Sequence, residues 1–163
     1  MRLLLILLAL IGLGIGVAAP PILSPVTPRE LVFPEDFGAH ENFRIEWWYA
    51  TGWLETTDQK TVGFQVTFFR PTTEYDQDNP SQFAPKRLII GHAAISDPAV
   101  GRLLHVEKTV REGFGLAYAK AGNTDVKLDD WYFIRDTDGN YRTVVQGNDF
   151  SLELRLEPSQ PLM

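Results

Sequence analysis

The chain has 163 residues, a formal net charge of −6 and no cysteine. The acidic balance excludes nucleic acid or an anionic membrane surface as a charge-recognised partner, because both demand a basic patch and the longest basic cluster is Lys86-Arg87. Disulfides and lipid attachment at cysteine are excluded too, so about 140 residues beyond the N-terminal leader must form one domain by core packing alone.

Met1 and Arg2 make a short basic start, and Leu3 to Val17 is an apolar run of signal-peptide length. Small residues follow at Val17-Ala18-Ala19, and cleavage after Ala18 is expected. The run is short for a membrane span of about 20 residues. We therefore expect an exported protein, periplasmic or extracellular, that meets a membrane only transiently during export. Residues 19–30, with Pro20, Pro21, Pro25 and Pro28, read as an extended proline-rich leader.

Nearly every segment after Arg44 has strand character. Phe43 to Leu54 holds three of the four tryptophans and alternates. Phe43, Ile45, Trp47, Tyr49 and Thr51 fall on one face, and Arg44, Glu46, Trp48 and Ala50 on the other. Neither face is plainly the wet one. A polar hairpin at Glu55 to Lys60 leads into Thr61 to Arg70, with Val62, Phe64, Val66 and Phe68 on one face. Pro71 to Pro85 is the one long connection, of a length common in lids and binding loops. Lys86 to Ile95 and Leu103 to Arg111 are further strands. Phe114 to Ala119 and Asp125 to Leu128 are shorter candidates, and Asp129-Asp130 reads as a turn. Trp131 to Arg135, Tyr141 to Gln146 and Ser151 to Glu157 complete the set. Asp138-Gly139 is a hairpin signal, and Leu152, Leu154 and Leu156 form the inner face of the last strand. No segment after residue 30 keeps a helical apolar period over three turns. The expected fold is all-β: an antiparallel lipocalin-like barrel or sandwich of seven to nine strands, preceded by a signal helix. Barrel closure is favoured because it removes exposed edges.

The chemistry is sparse. His40, His92 and His105 show no metal-ligand spacing, and neither a metal nor another cofactor is expected. No Gly-x-Ser-x-Gly elbow is present, and the serines lie in polar loops or at strand ends. Glu46 is the best candidate acid: a carboxyl set among aromatics either serves a pocket or forms a structural ion pair with Arg44 or Arg70. His92, between Ile90 and Ala94 on its strand, reads more readily as a satisfied core residue than as an acid or base. Glu46, Trp48, Gln65, His92 and His40 are the candidate ligand-binding residues, and no catalytic residue is assigned.

Phe33-Pro34-x-Asp36-x-Gly38-x-His40, Glu46-Trp47-Trp48-Tyr49-x-Thr51-Gly52-x-Leu54 and Gly63-Phe64-Gln65-x-Thr67-Phe68-Phe69-Arg70 together resemble the AttH-like/carotenoid 1,2-hydratase family. Gly91-His92-Ala93-Ala94-Ile95-Ser96-Asp97 and Asp130-Trp131 follow in the same order. The resemblance implies a lipocalin-like domain over residues 31–158, two such halves in tandem, and an apolar isoprenoid-like or lipid-like ligand. It also implies water addition across an isolated double bond in the hydratase branch, whereas other members are labelled secreted hydrolases. Residues 159–163 then read as a linker toward a second half, where the resemblance places the key acid. On this reading the chain alone is inactive, and its partners are an apolar small molecule and that second half. A ligand-binding module without chemistry and a structural half-domain are the alternatives.

Overall fold

The computed structural model describes residues 27–161, so the expected signal segment and most of the leader lie outside the described residues. Nine strands follow a single short 3-10 turn at Glu35–Phe37: β1 (Ile45–Glu55), β2 (Thr61–Pro71), β3 (Leu88–Ser96), β4 (Leu103–Arg111), β5 (Ala117–Ala119), β6 (Asp125–Leu128), β7 (Trp131–Arg135), β8 (Tyr141–Gln146) and β9 (Ser151–Leu156). They form two antiparallel sheets, ordered β1-β2-β3-β4 and β5-β6-β7-β8-β9. Each is a plain meander, as short polar turns between alternating segments require. The all-β expectation holds, in its sandwich form. The favoured closure into a barrel is not seen, and each sheet keeps its own edge strands.

Alternation decides what lies between the sheets. Phe64, Val66 and Phe68 of β2 and Ile89 and Ala93 of β3 face Val126, Leu128, Trp131, Phe133, Val145 and Leu152 of the second sheet, all of them buried. Trp131 is the keystone. It is fully buried, and its indole N–H donates to the Gln146 carbonyl at 3.0 Å, so its one polar atom is satisfied. It approaches the first sheet at Gly91, where an added Cβ would lie 2.7 Å from Leu128 and 2.8 Å from the Trp131 ring. The sheets can close only because that position has no side chain. The fit is tight around β3 and β4, which pack on β5 and β6.

The turns follow their residues. Asp129 takes a positive φ of 59° in a two-residue connection between paired Leu128 and Trp131. The Asp138-Gly139 signal sits in a longer loop than a two-residue hairpin, because the Asp136 carboxylate accepts the Asp138 and Asn140 amides at 3.0 and 2.9 Å and holds five residues between β7 and β8. The long β2–β3 connection is pinned by a bridge between Thr72 and Arg87 and by the Thr73 amide on the Lys86 carbonyl.

A cavity between the sheets with a charged end

On the β1 side the two sheets part. A cavity of about 590 Å³ lies there, lined by Phe37, Phe43, Trp48, Ala50, Phe133, Tyr141 and Leu156, with Ile45, Trp47 and Tyr49 contributing from the same edge strand. Asp36, His40 and Glu46 form its polar end. The inward face of β1 is the one with the acid Glu46, and it carries Trp48, Ala50, Gly52 and Leu54 beside it. Ile45, Trp47, Tyr49 and Trp53 point outward and are exposed. Apolarity alone therefore does not mark the inner face of this strand.

The polar end is built by the segment before β1. Phe37 is clamped by its carbonyl, which accepts the Trp48 indole N–H at 3.1 Å and the Thr124 hydroxyl at 2.9 Å. Gly38 lets that segment lie against the Ala121–Asn123 backbone, since a Cβ there would stand 2.3 Å from the Gly122 nitrogen. Thus fixed, the loop presents the His40 amide to both Glu46 carboxylate oxygens at 3.0 Å. The imidazole spans two carboxylates, with Nδ1 3.1 Å from Glu46 Oε2 and Nε2 2.9 Å from Asp36 Oδ1. Phe43 stacks on its face at 4.7 Å between centroids.

Asp36 is held well below the usual carboxylate range. Its hydrogen bond to Arg29 contributes most, followed by the Val32 amide, with burial opposing and His40 assisting. Glu46 accepts from Arg70 Nη1 at 3.0 Å. Of the two partners weighed in sequence, Arg70 forms the pair, whereas Arg44 is exposed. Arg70 is itself 3% exposed and is bracketed by Glu112, whose two oxygens each lie 3.1 Å from Nε, and by Glu41 at 3.4 Å. Arg87 holds the far oxygen of Glu41 at 3.0 Å. The long β2–β3 loop closes over this cluster and lines a separate polar recess with Gln77, Pro80, Ser81 and Gln82. It does not line the cavity between the sheets.

Glu46, Trp48 and His40 thus converge. Gln65 and His92 do not: both point away from the second sheet. The His92 side chain is half exposed, edge-on to Phe69 at 5.3 Å and 3.8 Å from Glu107, so it is not a core residue. His105 is exposed on the same face. Asp36 and Glu112 were missed as site residues. Asp36 was legible in principle, four residues before His40 in the same motif. Glu112, Phe133 and Tyr141 become neighbours of the site only through sheet packing, which no local pattern encodes. Among the described residues no group of three or more His, Asp or Glu side chains is arranged to hold a metal ion; Asp36, His40 and Glu46 face one another instead.

The AttH-like family profile matches residues 24–163. The chain belongs to the AttH-like family. A crystal structure of a candidate AttH from Nitrosomonas europaea is 61% identical and superposes with a TM-score of 0.74 over 86% of this chain. That match covers only 42% of the Nitrosomonas chain, so the present AttH-like chain spans less than half the length of its solved relative. No curated protein matches it.

Proposed function

We propose that this AttH-like domain serves an exported protein by taking an apolar, isoprenoid-like or acyl-chain-like molecule between its sheets. The cavity carries the reading. Its volume falls in the range of small-molecule sites, its walls are chiefly aromatic and aliphatic, and its polar groups gather at one end. A chain-like ligand would lie along Trp48, Ala50, Phe133 and Leu156 with any polar terminus toward His40. Burial of apolar surface at roughly 25 cal/mol per Å² supplies the affinity. The test is titration of the purified chain with a fluorescent apolar probe, followed through tryptophan quenching. Ala50→Trp fills the cavity from β1 and should abolish probe binding while the strand signal in circular dichroism persists. Unchanged binding by Ala50→Trp would place the probe elsewhere and remove the proposal.

A further inference from the structure

The long connection between β2 and β3 closes over a recess of about 540 Å³, separate from the cavity between the sheets and within the range of small-molecule sites. Its lining is cationic. Arg70, Lys86 and Arg87 face the two carboxylates of Glu41 and Glu112, in a chain whose net charge is −6. Gln77, Ser81 and Gln82 supply an uncharged polar rim. The loop's own acids Glu74, Asp76 and Asp78 are exposed and lie outside the lining, with Asp76 accepting the Asp78 amide at 3.0 Å.

The rim is held in shape by its own residues. The Thr73 hydroxyl donates to the Pro85 carbonyl at 2.6 Å and closes the base of the loop. Gln77 Nε2 donates to the Thr73 and Tyr75 carbonyls at 3.1 and 2.7 Å. The Ser81 hydroxyl oxygen accepts the Phe83 amide at 3.1 Å, so its O–H remains a donor.

Arg70 is committed unevenly. Glu112 and Glu46 hold its Nε and Nη1 at 3.1 and 3.0 Å and fix the guanidinium plane, whereas Nη2 meets Glu41 at the longer 3.4 Å. The other Glu41 oxygen takes Arg87 Nη1 at 3.0 Å, so one carboxylate spans two guanidinium groups. That carboxylate is 75% exposed, while the Arg70 and Arg87 side chains are 3% and 17% exposed. Ion pairs of so exposed an acid contribute little. Glu41 also sits on the turn closed by the Phe43 amide on the His40 carbonyl, so its side chain can swing out without moving a strand. Lys86 is half-buried in the same wall and, among the described residues, belongs to no ion pair. A buried guanidinium fork, a second guanidinium and an uncommitted ammonium around a displaceable carboxylate are the elements of an oxyanion site.

We propose that this recess binds one phosphate group, as the free ion or a small soluble phosphate ester, between Arg70, Arg87 and Lys86 in place of the Glu41 carboxylate. Three cations suit a dianion better than a single carboxylate, and the Ser81 hydroxyl adds a neutral donor. The acidic chain offers no extended basic surface, so one soluble group fits where an anionic bilayer does not. The site is independent of what the cavity between the sheets takes.

The experiment titrates this chain with inorganic phosphate by calorimetry, with ionic strength held constant by chloride. Saturable one-to-one binding is expected, with the Arg70 Nε–H and the Ser81 amide shifting in nitrogen–proton NMR. Glu41→Gln removes the competing charge and should tighten binding about tenfold. Arg87→Gln and Lys86→Gln, each introduced into the Glu41→Gln chain, should weaken it about tenfold while the circular dichroism spectrum stays unchanged. Glu153→Gln makes the same change of net charge on β9, away from the recess, and should leave the affinity unaltered. Glycerol phosphate should compete with phosphate. The proposal is overturned if phosphate does not saturate the parent chain, if Glu41→Gln fails to tighten it, or if Glu153→Gln tightens it as much. It is equally overturned if the Arg87 and Lys86 variants bind normally, or if phosphatidic acid vesicles recruit a chain that soluble phosphate does not bind.

Discussion

Glu46 meets three donors within 3.1 Å: the His40 amide, the His40 ring and the Arg70 guanidinium. Glu46→Gln keeps the shape but leaves Arg70 facing a neutral amide with only Glu112 and Glu41 to offset its charge. Breaking one partner of a buried pair costs about 3 kcal/mol or more, so a urea titration should show a midpoint shifted by that equivalent without a change in slope. A loss below about 0.5 kcal/mol, within the range of exposed ion pairs, would show that the cluster does not hold the loop. Asp36 supplies the pH dependence. Its carboxyl sits below its ordinary value of 3.8 in the folded state, so the unfolded chain binds its proton more readily. The contribution is therefore present above that ordinary value and disappears as pH falls through the lower folded value. Asp36→Asn should lower the thermal midpoint at neutral pH and flatten the decline of stability between about pH 5 and pH 2 relative to the parent chain. Parallel curves in that window would contradict the assignment. The Arg29 and His40 contacts that cause the shift belong to the loop at the cavity end, so the same titration reports on the order of the site.

At the scale of the strand, the period-two rule located all nine elements because each is short, alternating and bounded by polar turns. It did not settle which face of β1 was inward, since the aromatic face lies outside and the face with the acid lies inside. The partner sheet settles that, and sheet pairing is a non-local property. The same limit explains His92. Its strand neighbours are apolar, but the inward parity of β3 belongs to Ile89, Gly91 and Ala93. The candidate site was half legible for this reason: Glu46, Trp48 and His40 sit within one local stretch, whereas the opposite wall comes from β7, β8 and β9. Gly91 tests the packing that sets these parities. Gly91→Ala puts a methyl against Leu128 and an indole already anchored at Gln146, and overpacking of this kind costs about 1–3 kcal/mol. Thermal unfolding should show the loss, and Leu128→Ala in the same chain should recover part of it, because the two sites share the volume. Strict additivity of the two losses would refute the contact.

For the whole molecule, the arrangement separates two surfaces by one sheet. The inner side of β1–β4 borders a cavity and the outer side carries the exposed aromatics Trp47, Tyr49 and Trp53. Chemistry at the cavity is a different matter. Acid–base work needs a group free to exchange its proton with a substrate atom within hydrogen-bond reach. Here Asp36 is committed to Arg29, Val32 and His40, and Glu46 to His40 and Arg70, so each carboxylate already serves a structural partner. No serine lines the cavity. Positioning and charge stabilisation act only when every participating group shares one site. The chain by itself should accordingly bind an apolar probe yet show no hydration of acyclic isoprenoids and no ester hydrolysis above the uncatalysed background. Product formation measured by chromatography decides it. Turnover by the chain alone, abolished by His40→Ala or Glu46→Gln in a variant still folded by circular dichroism, would show that these engaged groups release their partners when substrate enters and that the half-length chain holds a complete active site.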